Sequence, residues 1–357
     1  MRILFVFCMV CANSLFAQEP WVRFWDKDTL LYGFKDLKGN IKILPKFGGL
    51  ANADTFYNII PVAEEKRGSY ADYYYLLKDG RKVGVDSIFM IDFTFDCEQE
   101  GKILFYDKKT DKVGFFDKYG KVAIPAKYNI AHSFNNGVAL AGINGVRSCT
   151  GCEHPWWKDM EMVLINDKNE MLVRNWNIQS QTLNWYSMHV NDPAVDTTIW
   201  ISITGEKGNV YSFIDYEKEF SKWLHNDFIP SVKAGSAQLK KHLFSEITYD
   251  STHHGDWIQK PAQVFLEKYY SALKAGLLKA KDSGINDEEL NEFIFNDKKY
   301  ARFYDACGRY LSVRFPMFNV LVNYLNDKEQ IDYQESFTFI RLEDGYKLIS
   351  VQLREMK

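Results

Sequence analysis

Two cysteines and a histidine lie close together in the segment Cys149–His154 (CTGCEH), and these residue types bind metals or exchange disulfides. Attachment of haem is excluded because Glu153 occupies the position directly after the second cysteine, where that chemistry needs the histidine. A thioredoxin-type thiol sits at the start of a helix, whereas Pro155 and two tryptophans follow here without an amphipathic run.

Three interpretations of this segment remain. Zinc needs a fourth ligand besides Cys149, Cys152 and His154, and the chain has no second paired motif. A disulfide fits the spacing, because Gly151 permits the sharp turn that brings the two sulfurs together. We therefore predict a Cys149–Cys152 disulfide and no metal, with zinc binding and unpaired thiols as the alternatives. The cysteines at 97 and 307 have no evident local partner.

Tryptophans crowd the same region of the chain: Trp156, Trp157, Trp176, Trp185 and Trp200. Exposed indoles stack on sugar rings or anchor a protein partner, although burial in the core of a β domain is the commoner fate of such residues. We predict Trp156, Trp157 and Trp185 as ligand-binding residues.

Other candidates for chemistry are weaker. His253 and His254 could supply metal ligands or a general base, but they stand in a polar stretch where solvated histidines are common. The sequence has no phosphate-binding glycine loop, zinc-protease helix or nucleophile-elbow serine. We predict no catalytic residue, no metal and no cofactor.

The N-terminus has the order of regions typical of a secretory signal peptide. One positive charge at Arg2 precedes a short apolar run, and Ala17 stands before a polar stretch. The run is too short to span a bilayer, and Val10 before Cys11 does not fit a lipoprotein signal. We expect an exported protein, periplasmic or extracellular, without a membrane anchor.

Composition narrows the class of partner. A net charge of −3 provides no basic field, which argues against nucleic acid. An aromatic content of 16% favours β structure, because flat rings pack well on a pleated face.

The first half contains repeated hairpin signals. Asp117 can bond the turn backbone, and Gly120 can take the positive φ that closes the turn. The segment from Tyr32 to Phe47 repeats this pattern, with Gly39 in the turn. A third copy of the pattern begins at Val83-Gly84. A single hairpin cannot cover its own apolar face, so neighbouring units must stack.

These residues resemble the WG-repeat (tryptophan-glycine repeat) family of bacterial proteins over roughly residues 30 to 175. The shared features are Gly114, the turn at Asp117–Gly120, the Ile124-Pro125 pair, and the Phe134–Gly137 segment that ends the repeat. The family's tryptophan is missing, since Tyr32, Val83 and Val113 stand in its place. The resemblance implies a module for binding or scaffolding, and it carries no catalytic residues.

The second half changes to a helical period and then to long strands. Phe220, Trp223, Leu224 and Phe228 share one face of a predicted helix that ends at Pro230. Pro261 begins another helix, with Gly276 as its end signal, and a capping box at residues 286–289 predicts a third.

Long antiparallel strands and a hairpin at Asp344-Gly345 close the chain. This ending resembles the closing hairpin of the cone-shaped superfamily that includes ketosteroid isomerase and the SnoaL-like proteins. We predict a signal peptide at 1–17, a mainly β repeat domain of stacked hairpins at 18–204, and an α+β domain at 205–357, in which helices precede long antiparallel strands in a possible cone.

The preferred function is that of an exported, non-enzymatic binding or scaffolding protein that uses its β-repeat surface to hold a protein or glycan. One alternative is an enzyme or small-molecule binder with a C-terminal pocket lined by Tyr269, Trp257, Phe337 or Phe339 and one carboxylate. Another is glycan binding through exposed tryptophans. A buried acid without a partner would favour the enzyme, whereas a pocket filled by aromatic side chains would favour the binding protein.

Removal of the signal peptide can be tested directly. Because the apolar run ends near Ala17, protein exported by a bacterial host should lack residues 1–17 in an intact-mass measurement. A mature protein that still carries Met1 would contradict export by this route.

Overall fold

A computed structural model describes residues 19–48, 53–66, 71–91, 94–149, 156–192, 196–250, 257–279 and 284–354. The chain forms two compact units, Met1–Ala126 and Lys127–Lys357. The domain boundary expected at residue 204 lies within the second unit and stays a prediction. None of the described helices is long and apolar enough to cross a membrane.

The first unit is built from antiparallel strands. They are β1 Trp21–Trp25, β2 Tyr32–Asp36, β3 Ile41–Phe47, β4 Thr55–Phe56, β5 Ile59–Glu64, β6 Asp72–Leu77, β7 Lys82–Val83, β8 Met90–Ile91, β9 Thr94–Phe95, β10 Lys102–Asp107, β11 Lys112–Asp117 and β12 Val122–Tyr128. The first seven form one sheet in the order β4-β1-β2-β3-β5-β6-β7, β8 pairs with β9, and β10-β11-β12 form a three-stranded sheet.

Aromatic side chains fill the core beside the first hairpin. Tyr32, Phe34 and Phe47 are fully buried. The ring centroid of Tyr32 lies 5.8 Å from that of Phe34 and 5.6 Å from that of Phe47. Tyr32 therefore fills the place of the tryptophan that the repeat pattern lacks, as does the buried Val113 in the later hairpin.

The glycine of each hairpin permits two backbones to approach closely. A Cβ atom on Gly33 would lie 2.3 Å from the carbonyl oxygen of Ile43, and one on Gly114 would lie 2.5 Å from that of Ile124. The contacted atoms belong to the backbone of the following strand, which cannot move away as a flexible side chain could. This shared contact is the physical reason for glycine in both hairpins.

The predicted turn chemistry is confirmed in both hairpins. Gly39 has a φ of 91° and Gly120 a φ of 75°. The Asp117 carboxylate accepts bonds from the backbone N–H groups of Tyr119, at 2.8 Å, and Lys121, at 2.9 Å. The N–H of Gly39 donates to the carbonyl of Asp36 at 3.0 Å and that of Gly120 to the carbonyl of Asp117 at 2.9 Å, and each turn sets the register of its two strands.

The second unit contains many strands, most of them paired antiparallel, and two α-helical segments that are separated by two strands. Its strands are β13 Ile130–Ala131, β14 Val138–Ile143, β15 Val146–Arg147, β16 Trp157–Lys158, β17 Glu161–Asn166, β18 Met171–Val173, β19 Leu183–Val190, β20 Trp200–Thr204, β21 Val210–Asp215, β22 Leu243–Asp250, β23 Trp257–Pro261, β24 Gly284–Glu288, β25 Met317–Leu325, β26 Ile331–Leu342 and β27 Gly345–Gln352. Its α-helices are α1 Tyr216–Trp223, α2 Ile229–Ala234, α3 Ser236–Leu239 and α4 Ala262–Lys279.

Shorter helical turns complete the unit, namely a π-turn at Leu224–Phe228 and 3-10 turns at Lys240–His242 and Lys298–Phe303. The strands form sheets in the orders β13-β14-β17-β18, β15-β16, β19-β21-β20 and β23-β22-β27-β26-β25-β24. The mainly β organisation with a helical segment before the long C-terminal strands agrees with the sequence-based expectation.

Helices α1 and α4 pack on one face of the six-stranded sheet. The Phe220 ring of α1 stacks on Phe318 of β25 with centroids 4.7 Å apart. The Arg341 guanidinium donates to both carboxylate oxygens of Glu219, at 2.7 and 3.1 Å, and the Tyr346 hydroxyl donates to one of them at 2.9 Å. A bidentate pair of this kind fixes the orientation of α1 on strands β26 and β27.

Local helix signals were wrong at three places. The expected capping box at residues 286–289 lies mostly in strand β24, because pairing with β25 satisfies its backbone groups instead. Pro230 lies inside α2, which follows directly on the π-turn at Leu224–Phe228, so this proline does not end the helical segment. Gly276 lies inside α4, where a Cβ would meet the Glu335 carboxylate at 2.4 Å, so close packing rather than helix termination explains this glycine.

The two classes of hairpin glycine should respond differently to alanine. Gly114→Ala should lower the free energy of unfolding by roughly 3 kcal/mol, because the new methyl group would overlap a fixed backbone. Gly39→Ala should cost only about 1 kcal/mol, because its surroundings are open and only the positive φ opposes the change. Urea denaturation checks both, and equal effects would contradict the close-approach explanation.

Candidate functional site

A short hairpin formed by β15 and β16 carries the most exposed tryptophan of the predicted site. Val146 pairs with Lys158 and Arg147 with Trp157. The Ser148 N–H donates to the carbonyl of Trp156 at 2.8 Å, and the N–H of Trp156 donates to the Ser148 hydroxyl at 3.1 Å. These bonds extend the pairing one residue beyond the strands and hold Trp156 in a defined place.

The base of this hairpin is clamped by a buried amide. The Asn129 side chain accepts from the N–H of Gly145 at 3.0 Å and donates to the carbonyl of the same residue at 3.1 Å. Asn129 is 4% exposed, so water competes little for these bonds. Asn144, with a φ of 61°, makes the change of direction into the hairpin. The start of the hairpin is therefore anchored to the core.

Each of the two indole rings on the hairpin has a cation near it. The Arg147 guanidinium lies 4.0 Å from the centroid of the half-buried Trp157 ring, within the range of a cation–π contact. The Lys158 ammonium lies 6.0 Å from the centroid of Trp156, which is 61% exposed. Val146 is also exposed. In the described residues 146–149 and 156–158, both charged side chains are positive. The surface can stack on a ring and attract a negative group.

Cys149 is disulfide-bonded. Its sulfur is therefore not the free thiolate that zinc ligation or nucleophilic attack requires. The predicted partner Cys152 lies outside the described residues, as do Gly151 and His154, so the pairing itself stays a prediction. Cys97 and Cys307, which have no evident local partner in the sequence, are disulfide-bonded as well.

Trp185 lies away from solvent and does not join this surface. Its ring stacks on Trp176 with centroids 5.6 Å apart and meets Phe213 edge-on at 5.4 Å. All three belong to the core between β14, β17, β19 and β21. The structure thus places Trp156 and Trp157 together on the hairpin and assigns Trp185 to packing.

The C-terminal residues considered for a pocket are mostly core residues. Phe337, Phe339 and Tyr269 are buried in one aromatic cluster, while Trp257 is 40% exposed. The Phe339 centroid lies 4.9 Å from Phe228 and 5.3 Å from Phe220, so aromatic rings occupy the space between helices and sheet.

A buried carboxylate lies beside this cluster and is satisfied. Glu335 is 6% exposed. It accepts from the Tyr324 hydroxyl at 2.6 Å and from the backbone N–H of Arg354 at 3.1 Å. This arrangement neutralises the cost of burying the charge. His253 and His254 lie outside the described residues.

Sequence reasoning missed Arg147, Lys158 and Asn129. The two cations flank the tryptophans in sequence, and a basic residue at each end of a short aromatic segment is a signal that could have found them. Asn129 could not have been found in this way, because its role depends on a backbone contact sixteen residues further along the chain.

Comparisons with known proteins agree with the repeat. Residues 114–146 match the family described as WG containing repeat, so the predicted WG-type repeat is confirmed over that segment. No curated protein matches the chain. Among solved structures, the chain is similar to a ketosteroid isomerase-like protein from Shewanella frigidimarina, at 13% identity and a TM-score of 0.20, over 37% of this chain and 89% of that one. A TM-score of this size carries no conclusion about fold or activity.

The disulfide at Cys149 has a specific expected partner. Non-reducing peptide mapping should recover Cys149 linked to Cys152. Because so short a loop removes little chain entropy, Cys149→Ser with Cys152→Ser should lower the melting temperature only slightly. Linkage of Cys149 to Cys97 or Cys307, or stoichiometric zinc that either substitution removes, would contradict this pairing.

Proposed function

We propose that this chain is an exported, non-enzymatic binding protein, and that the Val146–Lys158 hairpin that follows its WG-type repeat holds a protein partner. The observation that carries the proposal is the exposed Trp156 ring on an anchored hairpin, with the Lys158 ammonium 6.0 Å from the ring centroid. The few residues that supply most of the binding energy in protein interfaces are enriched in tryptophan, tyrosine and arginine. The rigid base of the hairpin lowers the entropy cost of binding.

The charge of the hairpin indicates the chemistry of the partner. Arg147 and Lys158 place two positive side chains close to the indole rings of the hairpin, so an acidic patch on the partner would complement them. We therefore propose a partner surface in which apolar groups contact Trp156 and carboxylates surround them.

We propose in addition that the repeated hairpins form a stack and that the C-terminal domain is cone-like. The two elements β1-β2-β3 and β10-β11-β12 share the glycine contact and the Asp-closed turn, which supports a stack of hairpin units. The six-stranded sheet with α1 and α4 on one face supports a cone-like C-terminal domain. A stack of hairpins presents its connecting loops at the surface, which suits a scaffold.

Aromatic filling of the C-terminal interior and the satisfied Glu335 favour a binding protein over an enzyme. A general acid or base needs a carboxyl group that reaches substrate, whereas both oxygens of Glu335 accept hydrogen bonds from the protein itself. The space that a substrate would need between helices and sheet holds Phe220, Phe228 and Phe339.

Glycan binding is a second candidate, supported by the exposed face of Trp156. An indole stacks on the apolar face of a sugar ring, and Lys158 could donate to the hydroxyl groups of that sugar. The two candidates are distinguished by whether Trp156→Ala abolishes binding of a protein or binding of a glycan.

Site-specific cross-linking tests the preferred function. Benzoylphenylalanine in place of Trp156 should give one discrete protein adduct upon irradiation of cells that produce the chain, because the side chain is 61% exposed. The same replacement at Trp25, which is 51% exposed in the first unit, is the matched control and should give none. Lys158→Glu should abolish the adduct at 156, because it reverses the charge nearest this position.

Three results would contradict this function. They are no adduct at 156, the same adducts at 156 and 25, and an adduct at 156 that Lys158→Glu leaves unchanged. Retardation of the protein in gels that contain soluble polysaccharide, lost with Trp156→Ala and retained with Trp25→Ala, would replace the protein partner by a glycan.

A further inference from the structure

The six-stranded sheet has an exposed edge at β24. Among the described strands, β24 pairs with β25 only. Four of its residues are exposed, and Ile285 is half-buried against the helical core. An edge strand presents unpaired N–H and C=O groups along its free side, and these can pair with another chain. Such strand addition is a recurrent mode of peptide recognition.

A groove of about 670 Å³ lies beside this edge. Its lining contains Ile285 from β24, Thr198, and four residues of α1, which are Glu217, Lys218, Ser221 and Lys222. Ile285 supplies an apolar contact, and α1 forms a polar wall. An extended chain beside β24 would direct alternate side chains toward this helix.

Two lysines of the groove lie close to carboxylates, whereas one glutamate of the groove has no such partner among the described residues. The Lys222 ammonium lies 2.8 Å from the Asp196 carboxylate and donates to the Thr198 hydroxyl at 3.0 Å. Lys218 lies 3.8 Å from Asp215. Among the described residues Glu217 has no ion-pair partner. Burial raises the pKa of Glu217, and the nearby carboxylates of Asp287 and Asp215 raise it further. The groove therefore retains negative charge next to β24.

We propose that β24 binds an extended segment of a partner polypeptide by strand addition, with an apolar side chain opposite Ile285 and a lysine or arginine opposite Asp287, close to Glu217. Ile285 and Asp287 are two residues apart and share one face of the strand. The segment thus has an apolar and a basic residue separated by one position. Cross-strand neighbours lie about 5 Å apart, so the basic group reaches both carboxylates.

The charge of the groove favours this basic segment over an acidic one. A cation beside Glu217 and Asp287 relieves the repulsion between these carboxylates, whereas an acidic segment would increase it. The acidic edge also discourages pairing of β24 with a second copy of itself, because Asp287 and Glu288 would then face like charges.

A synthetic octapeptide of alternating valine and threonine with one central lysine serves as the probe, bound to the full-length protein and followed by fluorescence anisotropy. Saturable binding is expected, and replacement of the lysine by glutamate should abolish it. N-methylation of alternate backbone amides should block binding for one set of amides and leave it unchanged for the other set, because only one edge of the peptide pairs with β24.

Glu217→Gln should weaken binding of the lysine peptide about two- to fivefold, as expected for an exposed charge pair. Glu267→Gln, which changes an exposed glutamate of α4 outside the groove, is the matched control and should have no effect. No saturable binding, indifference to N-methylation, or equal effects of the two substitutions would overturn the proposal. Dimerisation through β24 that the peptide cannot displace would also overturn it.

Discussion

One turn, closed by an aspartate or asparagine side chain, recurs at five places in the described residues where the chain reverses direction. The side chain at its first position accepts from the N–H groups two and four residues later, and the residue at the fourth position has a positive φ. The first and fourth residues are Asp36 and Gly39, Asp117 and Gly120, Asn166 and Asn169, Asp305 and Gly308, and Asn326 and Glu329. Because side chains alternate along a strand, each turn determines which face is buried, and the short sheets depend on it.

These turns mark the part of the fold that sequence can predict. Asp117 and Gly120 were found because both residues of the signal are characteristic, whereas Asn326 was missed because Glu329 is an unusual residue at positive φ. The capping-box signal at 286–289 failed for the opposite reason. Its residues satisfy a local helix rule, but pairing of β24 with β25 supplies hydrogen bonds that the local rule does not consider.

The candidate site was only partly predictable for a related reason. Sequence placed Trp156, Trp157 and Trp185 in one region, but residue type cannot tell an exposed indole from a buried one. That difference depends on partners distant in the chain, since Trp185 packs on Phe213 while Trp156 is held by Ser148 at the end of a hairpin. Burial thus separates a packing residue from a candidate binding residue of the same type.

Helix α1 shows how one element can serve packing and recognition together. Its inner face carries Phe220, which stacks on Phe318, and Glu219, which is held in two bonds by Arg341. These contacts fix both the position and the rotation of the helix. Residues 217 and 221, four apart, therefore lie on a common stripe that lines the groove beside β24. An extended chain added to β24 would meet a wall that is already ordered, so most of the entropy cost of binding would fall on the incoming peptide.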